Sequence, residues 1–300
     1  MTRPMSDERA AMSEAPCELS IVIPAYKEAT KVGRDIEAAF AFLAGDRIDG
    51  EVIVVDDGSP DDTAAVAASY RARYPALRVL SYTPNRGKGH ALRYGILRAR
   101  GRTILFADAG LCVPYDVARI PLAMLAMRMC DVANGSRRMR GSVKRAQPFY
   151  RKLGSRLFGI LVHGVMGVPM YVSDTQCGFK AYRREVARRL FGEAFTDGFM
   201  FDTEIILRAL KEGCTILEFP VVWENDADTR FSPRHGSVRI LRELLAIRLG
   251  LVRGRTASPH DTVTARDVDA MLPAVPLAAP ERAPIVDAND PASAPTGTPA

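Results

Sequence analysis

Four short apolar runs, "LSIVIP" at 19–24, "EVIVVDD" at 51–57, "LRVLSY" at 77–82 and "TILFAD" at 103–108, alternate with helix-compatible stretches around 30–44, 61–73 and 87–100. Runs this short and this rich in Val, Ile and Leu read as strands buried on both faces. A helix between successive strands makes them parallel, because the chain must cross over the sheet to return in the same direction. The expectation is a single α/β domain with a mainly parallel, Rossmann-like sheet and helices on both faces. Such sheets bind ligands beyond the carboxyl ends of their strands. The loops "PAYKE", "DDGSPDD", "NRGKG" and "DAG" all fall there.

Composition sets limits on the rest. With 300 residues and 47% hydrophobic content the chain can bury one sizeable core. The longest uncharged apolar run, 157–172, contains His163, Pro169 and three glycines. It is shorter than the ~20 residues a spanning helix needs, so no transmembrane helix is expected. The opening "MTRPMSDERAAMSEAP" has acids and no apolar stretch, which argues against a secretory signal and for a cytoplasmic location. Cys17, Cys112, Cys130, Cys177 and Cys214 are scattered without CxxC spacing, so reduced thiols are expected rather than a disulfide framework or a zinc site. From 257 to 300, two arginines face six acids, a net of −4 against +6 for the whole chain, so residues 1–256 carry +10. That tail holds eight of the twenty prolines in an Ala/Pro/Thr background and is expected to be disordered. The resulting division is a flexible N-terminus (1–16), a folded domain (17–235), an amphipathic membrane-proximal helix (236–256) and the tail (257–300).

Two common phosphate loops are excluded, since neither G-x-x-x-x-G-K-[ST] nor G-x-G-x-x-G follows a strand. "NRGKG" precedes a helix. With Asn85 as cap, its backbone amides, Arg86 and Lys88 suit an anionic ligand; an ordinary Gly-rich turn is the competing reading. Asp56 and Asp57 close the second strand. Helix capping accounts for Ser59, Asp61 or Asp62, whereas Asp56 suits hydrogen bonds from a ribose or base.

The segments "IVIPAYKE", "VVDDGSPDDT", "NRGKGHALRYGILRARG", "LFADAG", "NGSRR", "SDTQCGFKAYRR" and "FMFDTEIILRALKEG" occur in the order seen in the family 2 inverting glycosyltransferases. The chain resembles the dolichyl- and polyprenyl-phosphate β-glucosyltransferases of that family from about Glu18 to about Asn225. The resemblance implies a GT-A-like fold and a nucleotide-sugar donor. It implies that Pro24, Ala25, Tyr26 and Glu28 with Asp56 and Asp57 form the donor pocket, and that Arg86, Gly87 and Lys88 lie near the diphosphate. It makes Asp108 the ligand of Mg²⁺ or Mn²⁺, and Asp174, Gln176 and Asp202 sugar-pocket residues, with Asp108, Asp174 and Asp202 the catalytic set. Asp202 also reads as an acid in the first turn of a helix. In the family the residue two past Asp108 is generally acidic; here it is Gly110. Magnesium is commonly held by one or two carboxylates plus substrate phosphates, so Asp108 alone suffices on that reading. The alternative is a metal-independent or inactive enzyme, with Lys88 and nearby arginines in the active case neutralising the leaving diphosphate.

The run 137–156 holds eight Lys or Arg and no acid, and leads into the apolar stretch 157–172. A second stretch, 237–255, places Val238, Leu241, Leu244, Leu245 and Val252 at helical spacing among arginines. Together they suit peripheral docking on an anionic membrane surface, against the alternatives of a solvated face and of a helix packed on the core. Arg137, Arg151 and Ser155 are the candidates for gripping an acceptor phosphate, since guanidinium forks match phosphate oxygens. A lipid monophosphate is already ionised near neutral pH and needs no general base. The expected reaction is therefore inverting transfer of a hexose, glucose in the favoured reading, from a UDP-sugar to polyprenyl phosphate (undecaprenyl or dolichyl) at the cytoplasmic membrane face. Alternatives are GDP-mannose or another donor, a non-lipid acceptor served by Asp174 or Asp202 as base, or an inactive basic membrane-binding module. Nucleic acid is not an expected partner, since stacking aromatics are sparse in the basic run.

Overall fold

A computed structural model describes residues 16–142, 158–223 and 233–252. The four apolar runs form β1 (Leu19–Ala25), β2 (Gly50–Asp56), β3 (Leu77–Ser81) and β4 (Thr103–Ala107). Between them lie α1 (Val32–Gly45), α2 (Thr63–Ser69) and α3 (Lys88–Arg98). A further α4 (Arg119–Ala126) leads into β5 (Val132–Ser136). After a single π-helical turn at Leu161–Val165 come β6 (Phe179–Arg183), α5 (Arg184–Glu193), α6 (Phe201–Lys211), β7 (Ile216–Pro220) and α7 (Pro233–Val252).

The seven strands form one sheet in the order β3-β2-β1-β4-β6-β5-β7. Parallel pairing holds for β1 with β2 and β4, β2 with β3, and β5 with β7; β6 alone runs antiparallel, to both β4 and β5. The strand order reverses between β1 and β4, which marks the carboxyl edge of those strands as the ligand crevice. Burial follows from the alternation of side chains along each strand. Ile21, Ile23, Val52 and Val54 pack under α1 and α2, while Val22, Ile53, Val55 and Phe106 pack under α3, α5 and α6. The sheet is thus mainly parallel with helices on both faces. The three strands beyond β4 are the addition to what periodicity indicated: "VANGS", "FKAYR" and "ILEFP" are too short or too polar to announce themselves as strands.

The helix anticipated at 236–256 is α7, and it has two apolar faces. Leu244 and Ile247 of α7 are buried with Met166 and Met200 in a small separate core. Leu241, Leu245, Leu249 and Val252 are exposed, as are Arg242 and Arg248 beside them. Packing on the core and an outward apolar stripe therefore coexist on one helix. Among the described residues, no helix is long and apolar enough to cross a membrane. The five cysteines are free thiols.

Candidate functional site

Register places the first group of residues. Ala25 pairs with Asp56 across β1 and β2, and Asp56 with Ser81 across β2 and β3. Pro24, Ala25 and Asp56 thus share one sheet edge, and Asp108 follows β4 on that edge. Asp56 is buried and accepts a hydrogen bond from Ser81 Oγ at 2.9 Å. The loop bearing Tyr26 and Glu28 is tied down by its backbone: Lys27 N–H donates to Ser59 Oγ at 2.9 Å and Glu28 N–H to Thr63 Oγ1 at 2.8 Å. Tyr26 and Glu28, on the loop that follows β1, are half-buried. At α2, Asp61 accepts from Thr63 N–H at 3.3 Å as a capping acid would, and Asp62 holds the cap position without a side-chain bond.

Asp57 differs from its neighbour. Its carboxylate accepts from Tyr82 Oη at 2.8 Å, Asn85 Nδ2 at 2.8 Å, Arg86 N–H at 2.8 Å and Gly87 N–H at 2.9 Å. Asp57, expected among the donor contacts, therefore shapes the "NRGKG" loop through four groups at once. Two further expectations about this loop are corrected. Asn85 is not a helix cap, since its amide is committed to Asp57 and Gly87 occupies the position preceding α3. Four of the backbone amides do not wait for an anion either: Arg86 and Gly87 donate to Asp57, and Gly89 and His90 donate to the carbonyl of Asp197. The attraction this loop can offer comes from the side chains of Arg86 and Lys88. Gly87 has φ +109°, and a Cβ there would lie 2.5 Å from Asp197 O, so only glycine fits.

Asp197, unmarked by any sequence pattern, steadies the same loop from the other side. It receives Arg93 Nη2 at 2.6 Å and lies 3.4 Å from Arg86 Nη2. Burial opposes its ionisation, but His90 and Arg93 outweigh burial and hold its carboxyl down at about 2.

Asp108 is the centre of the second group. Its carboxylate meets Lys88 Nζ at 2.6 Å, with the two side chains 30% and 22% exposed, so the pair faces the crevice. Antiparallel β6 brings the 174–178 turn alongside: Asp108 N–H donates to Gly178 O at 2.9 Å, and a Cβ on Gly178 would lie 1.8 Å from Asp108 Oδ2. The glycine of "QCGFK" is thereby explained. Burial favours a neutral Lys88, yet the carboxylates of Asp108 and Asp202 outweigh it and raise the ammonium's pKa.

Asp202 lies in the first turn of α6 as the sequence suggested, but it is buried and its partner is Lys180, 2.5 Å away. Lys180 is fully buried and also donates to the carbonyls of Cys177 (2.6 Å) and Thr175 (3.2 Å). Burial raises the Asp202 pKa against the pull of Lys180 and Lys88. Lys180 was missed from sequence. The signal was a lysine inside a strand whose neighbours, Phe179 and Ala181, are core residues.

Arg137 and Asp174 form a bidentate pair. Arg137 Nε donates to Asp174 Oδ2 at 2.8 Å, Nη2 to Oδ1 at 2.9 Å, and the Arg137 backbone N–H to Oδ2 at 3.0 Å. The fork expected to grip an acceptor phosphate is held by a carboxylate. Asp174, expected in the sugar pocket, is buried; burial works against its ionisation, but Arg137 prevails and sets its carboxyl at about 2. Paired in this way, Asp174 is a poor proton acceptor near neutral pH. Gln176 reaches Thr203 Oγ1 at 3.2 Å, linking the turn to α6. Glu218 of β7, also unmarked in sequence, fixes the turn by accepting from Ser173 Oγ at 2.6 Å and Asp174 N–H at 3.0 Å. Arg151 and Ser155 lie outside the described residues.

A divalent cation would find one carboxylate at the mouth, Asp108. Among the described residues, no group of three or more His, Cys, Asp or Glu side chains could hold a metal ion. The cations Lys88, Lys180 and Arg137 are each already matched by an acid, so an arriving diphosphate meets a nearly balanced site. A magnesium-like ion would have Asp108 as its protein ligand here and would need water and a bound ligand's oxygens to complete its shell.

The chain is similar to known proteins over most of its length. The family model described as glycosyl transferase family 2 matches residues 20–191. Dolichyl-phosphate beta-glucosyltransferase of Drosophila melanogaster is 35% identical over 243 residues, covering 77% of this chain and 74% of that protein. The Homo sapiens protein of the same name is 33% identical, with 79% and 76% covered. Among solved structures, glucosyl-3-phosphoglycerate synthase from Mycobacterium tuberculosis, in complex with Mn²⁺, uridine diphosphate and glucosyl-3-phosphoglycerate, superposes with a TM-score of 0.58. It shares 20% identity, with 86% of this chain and 88% of that one covered, and shows the GT-A-like fold. With the family model spanning more than half of its 300 residues, this chain belongs to glycosyl transferase family 2.

Proposed function

We propose that this protein is a polyprenyl-phosphate hexosyltransferase that moves glucose from UDP-glucose to a polyprenyl phosphate with inversion at the anomeric carbon. The observation that carries the reading is the half-buried Lys88–Asp108 pair at the strand-order reversal, flanked by the Asp56 edge on one side and the Arg137–Asp174 turn on the other. The names of the relatives supply the glucosyl group and the lipid acceptor.

In this reading Pro24, Ala25, Tyr26 and Glu28 with Asp56 bind the nucleoside, and Asp57 acts through the loop that carries Arg86 and Lys88. A phosphate oxygen of the acceptor attacks the anomeric carbon from the face opposite the diphosphate; the new carbon–oxygen bond forms as the bond to UDP breaks. The acceptor is already ionised, so no protein base is required. The main tasks are positioning and neutralising the charge that builds on the leaving diphosphate. Lys88 swings from Asp108 toward that diphosphate, a short move for a flexible point charge. A divalent cation held by Asp108 would add Lewis-acid stabilisation at the same place. Gln176 and the turn fixed by Asp174 border the sugar, and Arg137, Arg151 and Ser155 serve the acceptor phosphate, Arg137 from its pair with Asp174.

The outward apolar stripe of α7, Leu241, Leu245, Leu249 and Val252 with Arg242 and Arg248 beside it, supports docking on an anionic membrane at its cytoplasmic face. Incubation with a panel of radiolabelled nucleotide sugars and polyprenyl phosphate, followed by solvent extraction, tests the whole reading. Label from UDP-glucose in the organic phase is expected; label only from another donor, or only in water-soluble product, overturns it. Repeating the assay in EDTA is expected to abolish transfer, and an unchanged rate would remove the metal.

A further inference from the structure

Gly110 stands where a second acid is expected, and its backbone explains why a side chain is missing. Its φ is +92°, and Leu111 follows at +51°, so two consecutive residues sit in the left-handed region directly after Asp108-Ala109. Non-glycine residues adopt this conformation at a cost, and such segments persist only where neighbours enforce them. The neighbour here is α1. Gly110 N–H donates to Asp35 Oδ2 at 2.8 Å, and Arg34 Nη2 donates to Gly110 O at 3.4 Å. Adjacent residues of one helix thus hold both polar groups of a single glycine.

Asp35 is 1% exposed, and its Oδ1 has no hydrogen-bond partner among the described residues. A buried carboxylate is costly for the fold, and the groups that offset the cost are the backbone of the 110–111 turn and Arg34. Its place in the first turn of α1, where the helix field favours negative charge, lessens that cost without removing it. What it touches is the turn that presents Asp108.

We propose that Asp35 is a positioning residue for glycosyl transfer: it holds the Gly110–Leu111 turn so that the Asp108 carboxylate faces Lys88 and the donor diphosphate. The second carboxylate of this site therefore comes from α1 and acts on backbone rather than on the ligand. The proposal rests on the transferase reading above, but its structural half can be tested apart from it.

The full-length protein carries the test, with Asp35→Leu removing the acceptor at similar size and Asp35→Asn keeping an acceptor oxygen without the charge. Amide hydrogen exchange at Gly110, followed by NMR, is expected to quicken by about tenfold or more in D35L and to stay near the parent in D35N. Turnover of UDP-glucose with polyprenyl phosphate is expected to fall about 10–100-fold in kcat for D35L, with KM for the lipid unchanged and D35N restoring most of the rate. The thermal midpoint of D35L should equal or exceed the parent's, which separates mispositioning from unfolding. Parent-like exchange at Gly110 in D35L, or a D35N as impaired as D35L, overturns the proposal. A parent enzyme that transfers no glucose sinks the functional reading alone, because exchange at Gly110 still decides what Asp35 holds.

Discussion

Two lysine–aspartate pairs flank the ring of Phe106: Lys88 Nζ lies 5.3 Å and Lys180 Nζ 5.7 Å from its centre. Lys88 meets Asp108 at 2.6 Å and Lys180 meets Asp202 at 2.5 Å, so geometry alone makes them near twins. Burial separates them. Lys180 is sealed, its remaining protons given to two backbone carbonyls, whereas Lys88 and Asp108 open to the crevice. A sealed pair cannot exchange partners without leaving a bare charge in the core; an open pair can, because water and ligand replace what is lost. Identical chemistry is thus framework at the floor of the site, and under the proposed function it is machinery at the mouth.

The largest effect should come from breaking the floor. Lys180→Met leaves Asp202 uncompensated and should cost about 3–5 kcal/mol, read by denaturant unfolding, with most of the loss recovered when Asp202→Leu is added. A stable K180M single variant would erase the distinction between the pairs. At the mouth, Lys88→Met should reduce turnover about 10²–10³-fold while lowering unfolding free energy by less than about 1 kcal/mol. Loss of stability on the scale of K180M would make Lys88 framework too.

Acid and base titration sharpen the comparison through two other carboxylates. Asp174, held at about 2 by Arg137 against an ordinary value of 3.8, stabilises the fold above pH 4, and that contribution is lost as pH falls toward 2. Asp35 works in the opposite sense. Burial lifts it to about 6, against the pull of the Gly110 amide and Arg34, so the native state binds the proton more tightly. Its contribution is present below about pH 4 and lost as pH rises through 6, amounting to up to about 3 kcal/mol. The groups facing it are Arg34, Glu28 and Tyr115. Unfolding measured from pH 4 to 7 should show this fall in the parent and lack it in D35L; equal slopes would place Asp35 in an ordinary environment.

The smallest effect is expected on the outward face of α7. Leu245→Glu on the outward stripe of α7 should change stability by no more than about 0.5 kcal/mol and weaken binding to anionic vesicles about tenfold. Undiminished sedimentation with vesicles would assign membrane contact to another part of the chain.

Much of the side built from β1 to β4 was legible because its signals are local. Strand periodicity placed β1 to β4, and the acids and glycines at their ends fell at one edge as parallel connectivity demands. The side beyond β4 was less so. Lys180, Glu218, Asp197 and Asp35 each act across long stretches of chain, and no spacing rule links Asp35 to Gly110 or Lys180 to Asp202. Even adjacent acids parted company: Asp56 lies at the strand edge, while the Asp57 carboxylate is taken up by a loop about thirty residues on.

By itself, the sequence determined the layered sheet, the crevice at its carboxyl edge and the residue types assembled there, because periodicity and turn chemistry are written in near neighbours. Only the tertiary structure decided which charges remain open. Antiparallel β6 sets Gly178 against Asp108 and buries Lys180 beside Asp202, and α1 delivers Asp35 to a glycine. The strength of a charge depends on the water left around it, and that is fixed by packing from every side at once.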